Sequence, residues 1–171
     1  VATVESSKVK VQWDLPTNVS FLQGMRLEKR VNGVFIPLQN YLITDVQEYI
    51  DSDVNVTAQA YTYHVIALDS CGNETQAGRV GEVMVLTVLP AGSRLILSWT
   101  PYSQWKSGIA KYDIELLDIN SQTWTNIGSV GAATTSFSDE EIRFAQPENC
   151  YRIVAVEKNG GNARSMSNES C

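Results

Sequence analysis

Apolar and polar residues alternate through most of the chain, and the three-to-four-residue spacing of a helix is almost absent. Val9, Val11 and Trp13 alternate with Lys10 and Gln12, and Leu95, Leu97 and Trp99 with Ile96 and Ser98. Tyr61, Tyr63, Val65 and Ala67 alternate with Thr62, His64, Ile66 and Leu68. Successive side chains of a strand point to opposite faces, so each run predicts a strand with one face turned inward. Turn-forming clusters separate the runs: Asn32-Gly33, Cys71-Gly72-Asn73, Gly128 to Gly131, and Asn159-Gly160-Gly161-Asn162. Many short strands at this spacing predict an all-β sandwich or barrel.

The pattern also repeats. Trp13 recurs as Trp99, 86 positions on, each closing an alternating run. Tyr49-Ile50-Asp51 recurs as Phe137-Ser138-Asp139, and Tyr63 to Asp69 recurs as Tyr151 to Glu157, both at an offset of 88. Three landmarks at nearly one offset mark two copies of a single unit. The register predicts a last strand of copy one over 74–82, a first strand of copy two over 82–88, and a joint near Gly81. The domains are therefore expected at 1–81 and 82–171. No Pro- or Ser-rich spacer stands between them, which predicts a stiff connection and an elongated pair.

Composition narrows the function more than it names it. The chain has 171 residues, 43% apolar and 19% charged, an ordinary globular balance that excludes disorder and coiled coil. The net charge is −6, with six cations against nine carboxylates in residues 1–81 and seven against ten in 82–171. A nucleic-acid partner needs a basic stripe to replace phosphate counterions, and there is none. No apolar run is long enough to insert in a membrane. The chain opens in strand-forming residues and stops on Cys171, so it reads as a segment of something longer.

Together these landmarks resemble tandem fibronectin type III domains, two-sheet modules built like immunoglobulin domains. Trp13 and Trp99 fall where that family buries a strand-B tryptophan, and Tyr61-x-Tyr63-x-Val65-x-Ala67 is similar to its strand F, opened by a corner tyrosine. The second copy has Asn149 at that position, so the resemblance does not carry the corner bond across. It implies one core around Trp13, Tyr61, Tyr63 and Val65 and another around Trp99, Tyr151 and Ile153. HVIALDSCGNET, LILSWTPYSQW and CYRIVAVEKNGGNARSMSNESC resemble, more narrowly, modules preceding the gliding-motility-associated C-terminal region of secreted Bacteroidetes surface proteins. That resemblance implies an extracellular or cell-surface setting.

Three cysteines allow one pair. A turn at Gly160-Gly161 places Cys150 opposite Cys171, a register that allows a disulfide; the alternative is two free thiols in a reducing compartment. Cys71 sits in a loop, either as a small loop residue or as half of a pair with a cysteine elsewhere. Zinc needs four N or S ligands, and the single His64 does not complete a set.

No nucleophile elbow, phosphate loop or HExxH is present. His64 lies on the outward parity of its strand and reads as an exposed sheet histidine. Asp51 and Asp53 after one strand, and Asp139, Glu140 and Glu141 after its duplicate, read as solvated loop acids at a domain end. Asp51-x-Asp53-x-Asn55 imitates the opening of an EF-hand loop, but Val56 takes the glycine position and Thr62 that of the bidentate glutamate. Tyr102 and Trp105, with Trp124 on a later strand, are either candidate sugar-stacking residues or the cap of a core. Sequons occur at Asn18, Asn55, Asn73 and Asn168.

The reading is a non-catalytic spacer pair, with no enzyme site, cofactor or metal, whose partners are neighbouring domains of the same chain. The alternatives are a module recognising a glycan or surface protein, with Tyr102 and Trp105 as the candidate binding residues, or an accessory segment of an extracellular hydrolase.

Overall fold

The computed structural model describes residues 1–15, 20–76, 78, 80–141, 147–158 and 163–171. Among these residues all regular structure is strand. The first sandwich opens with β1 (Ala2–Glu5), β2 (Lys8–Gln12), β3 (Leu22–Val31) and β4 (Val34–Leu42). It continues through β5 (Glu48–Asp51), β6 (Thr62–Asp69), β7 (Glu74–Gln76) and β8 (Val80–Glu82). One sheet has the order β1-β2-β5; the other runs β4-β3-β6-β7, with β8 also on β6. The second sandwich repeats the plan with β9 (Leu86–Ala91), β10 (Arg94–Trp99), β11 (Ile109–Asp118), β12 (Thr123–Gly131), β13 (Ser136–Asp139), β14 (Tyr151–Glu157) and β15 (Arg164–Met166). Its sheets are β13-β10-β9 and β12-β11-β14-β15. All the pairings are antiparallel. Two facing antiparallel sheets in this order are the fibronectin type III-like arrangement, present twice.

The alternating sets supply the two cores. Val9, Val11, Leu27, Tyr61, Tyr63 and Val65 are buried together, with Trp13 partly buried against them and its ring 5.0 Å from that of Tyr41. Leu97, Trp99, Tyr112, Ile114, Tyr151 and Ile153 form the second core. The corner tyrosine is present in the first copy, where the Asn55 amide donates to the Tyr61 hydroxyl at 2.7 Å.

The joint differs from expectation in two respects. The last strand of the first sandwich runs through Glu82, and the Val83 amide still donates to the Tyr61 carbonyl at 3.1 Å. Val83 is buried in the first core and Met84 in the second, so the chain crosses two residues later than Gly81 and the next strand begins at Leu86. The two sandwiches also touch beyond the joint. β15 lies along the outer edge of β1, with the Ser165 hydroxyl donating to the Ala2 carbonyl at 2.7 Å and the Met166 amide to Thr3 Oγ1 at 2.8 Å. Thr3 and Ser165, small polar residues at 4% and 0% exposure, are buried by this contact. Two edge strands that would each present unpaired backbone groups thus cover one another. The two sandwiches pack flank to flank.

Candidate functional site

Each residue that sequence patterning offered for chemistry has a place in this frame. Asp51 and Asp139 are not solvated; they are buried at 3% and 5% exposure. Tyr63 donates to Asp51 Oδ2 at 2.8 Å and the Asp53 amide to Asp51 Oδ1 at 3.0 Å. The second copy repeats both bonds, Tyr151 to Asp139 Oδ2 at 2.8 Å and the Glu141 amide to Asp139 Oδ1 at 3.0 Å. A carboxylate that ends its strand while pointing inward tethers the strand end to the facing sheet. Lys29, buried from β3, adds an ion pair to Asp51 at 2.7 Å, donates to the Asp53 carbonyl at 2.9 Å, and lies 4.7 Å over the Tyr61 ring. Burial, followed by the Asp51 bond, pushes the Tyr63 phenol far up, so it stays a donor. A cation at the Asp51-x-Asp53-x-Asn55 segment would meet the Lys29 ammonium, so the calcium reading has no geometric support here.

His64 does face outward, but it is covered rather than exposed. Its ring lies 5.1 Å from that of Phe35, Nδ1 is 3.6 Å from Glu28 Oε2, and Nε2 is 3.1 Å from the Gly78 carbonyl. Tyr102 and Trp105 are at 3% and 8% exposure and cap the second core beside the flank contact. Their rings are 4.5 Å apart, and the Tyr102 amide donates to the Tyr112 hydroxyl at 2.9 Å. Burial raises the Tyr102 phenol, with hydrogen bonding from Ser165 and from the Ala2 backbone acting in the opposite sense. Packed this way, the two rings are mostly covered, and both line a cavity of about 550 Å³ between the sandwiches. Trp124 is the part-exposed tryptophan of this domain, and sequence reasoning gave it the least weight of the three.

Cys150 and Cys171 form a disulfide with a Cα separation of 3.9 Å, beside the bridge between Tyr151 and Ser170. The Gly160-Gly161 turn lies outside the described residues. Closing a loop of about 22 residues stabilises the fold by about 3 kcal/mol in the chain-entropy account. Reduction, or Cys150→Ser with Cys171→Ser, is expected to lower stability by that amount in urea titration. Coincident midpoints with and without reductant would show the bridge to be energetically idle. Cys71 is exposed, its amide bonded to Asp69. Of the sequons, Asn18 lies outside the described residues, whereas Asn168 is buried and clasps Leu86 through both its oxygen and its nitrogen. Its side chain is therefore closed to a glycan in the folded state.

No protein-family model matches the chain, and no curated protein matches it. Among solved structures it is similar to a two-domain fibronectin type III segment of chicken tenascin, with 13% identity over 99% of this chain and 93% of that one and a TM-score of 0.39. Similarity to the chicken interferon gamma receptor alpha chain covers 100% and 94% of the two chains at 11% identity and a TM-score of 0.39. Pectate lyase PelI from Erwinia chrysanthemi, solved with tetragalacturonic acid, matches over 52% of this chain and 27% of its own, at 18% identity and a TM-score of 0.41. The chain thus spans about a quarter of the length of that lyase.

Proposed function

We propose that the chain is a non-catalytic module pair of a secreted or surface-attached protein, holding neighbouring domains of the same polypeptide in a fixed relation. The flank contact carries this reading: burial of Thr3 and Ser165 and two hydrogen bonds between β1 and β15 tie the sandwiches into one body. Interfaces between domains of one chain commonly permit motion, and this one is braced both at the Val83–Met84 crossing and at Ala2 and Thr3 of β1. The disulfide supports an oxidising compartment. The sequence resemblance supports a gliding-associated surface protein as the parent. Asp51, Asp139 and His64, the groups nearest to catalytic types, are engaged in structural bonds.

Small-angle scattering tests the reading. The wild-type chain is expected to fit one compact side-by-side arrangement, and Ser165→Arg, which drives a cation into the flank, is expected to lengthen the particle. A broad spread of interdomain angles in the wild type would sink the positioning role.

A further inference from the structure

A groove opens where the β1–β2 turn and the β5–β6 loop of the first sandwich meet the larger sheet of the second. It encloses about 370 Å³, inside the range of about 300–1,000 Å³ that small-ligand sites occupy. Its wall on the second sandwich is an aromatic–cation stack, with the Arg152 guanidinium 4.3 Å over the Trp124 ring. Glu115 holds that guanidinium at 2.7 Å, so the stack is fixed and its positive charge is met. The charged acceptors facing the groove are Glu5 and Glu169, both exposed; Lys10 reaches Glu5 only at 4.0 Å.

The β1–β2 turn presents two serines to the groove. Ser6 and Ser7 have φ of 48° and 60°, left-handed values at both positions of a two-residue hairpin turn. Such turns favour Asn-Gly or glycine, because a Cβ crowds the backbone at left-handed φ. The Asn32-Gly33 turn follows the preference with φ of 50° and 84°, and the matching turn of the second sandwich puts Gly92 at 69°, whereas Gln122, outside the groove lining, also holds a left-handed φ of 55°. Only the copy of this turn that lines the groove replaces that glycine with a hydroxyl-bearing residue. That replacement puts the Ser6 hydroxyl on the groove wall.

We infer that this groove binds a neutral oligosaccharide, with the Trp124 face opposite Arg152 as the stacking surface and Glu5, Glu169 and Ser6 as hydroxyl-binding groups. A sugar ring offers an apolar C–H face to an indole, and its hydroxyls donate to carboxylates in charge-assisted bonds. An acidic sugar would bring its carboxylates against Glu5 and Glu169 while Arg152 is already paired. The site is built from both sandwiches and therefore rests on the flank packing of the proposed function.

The test is calorimetric titration of the whole chain with cellohexaose, laminarihexaose, mannohexaose and xylohexaose, and with tetragalacturonic acid as the acidic probe. At least one neutral probe is expected to bind. Trp124→Ala should weaken it about tenfold or more, the equivalent of about 1.4 kcal/mol. Ser6→Gly, which relieves the turn, should weaken it about threefold, one hydrogen bond's worth, without lowering the melting temperature. Scattering by Trp124→Ala should match the wild type, so a failure of the flank packing registers separately from a failure of the groove. Silence from all four neutral probes, undiminished binding by Trp124→Ala, or preference for tetragalacturonic acid would each overturn the assignment.

Discussion

Trp99→Ala is expected to destabilise the second sandwich by about 3–5 kcal/mol, the cost of a large cavity in a packed core. The indole is 6% exposed, meets the Tyr112 ring edge-on at 5.5 Å, and packs among Leu86, Leu97, Ile114 and Ile153. A melting temperature falls by roughly 4–8 °C per kcal/mol in a domain of this size, so the change is large in a thermal scan. Trp99 Nε1 is buried without a hydrogen-bond partner. Phenylalanine retains much of the packing and removes an unsatisfied donor, so Trp99→Phe should cost clearly less than Trp99→Ala. Trp13→Ala should cost less than Trp99→Ala because Trp13 is only partly buried against its core. A Trp99→Ala loss below about 1 kcal/mol in urea titration would contradict the core assignment, since a buried Trp→Ala change costs several times that.

The sequence makes these tryptophans legible because core positions obey a period that burial imposes. Val9, Val11, Leu97 and Trp99 sit on inward parity, and turning a strand by one residue would expose all of them. The two-copy plan is legible for the same reason, as inward residues recur at one offset. The flank contact was not, because Ala2, Thr3 and Ser165 are small side chains with no hydrophobic signature, and an extended pair was the natural reading of a spacer-free joint. Tyr102 and Trp105 were ambiguous on sequence grounds, since a loop aromatic can face water or close a core; proximity to the flank decided for burial. The groove at Trp124 was invisible for a further reason. Its residues come from turns, loops and strands of both sandwiches, and no local pattern reports their meeting.

Asp51 illustrates a polar residue whose burial the pattern could have signalled. Tyr63 and Asp51 each recur 88 positions on, so a bonded pair was duplicated whole, yet an acid ending a strand reads as solvated until its partner is seen. Asp51→Ala removes the acceptor of Tyr63 and of the Asp53 amide, and strands the buried Lys29 ammonium with one carbonyl and an aromatic face. Breaking one side of a buried ion pair typically costs about 3–5 kcal/mol, because the remaining charge has lost its counterion away from water. The same size of loss is expected here, in the first sandwich. Lys29→Met in the Asp51→Ala background removes the stranded charge, so the double variant should be more stable than Asp51→Ala alone. That sign separates a desolvated charge from a lost packing contact, which would make the two changes additive or worse. Urea titration of the wild type, both single variants and the double variant gives the cycle. If Lys29→Met further destabilises Asp51→Ala, the ammonium was hydrated after all, and the Asp51 contribution lies in its bonds to Tyr63 and the Asp53 amide alone.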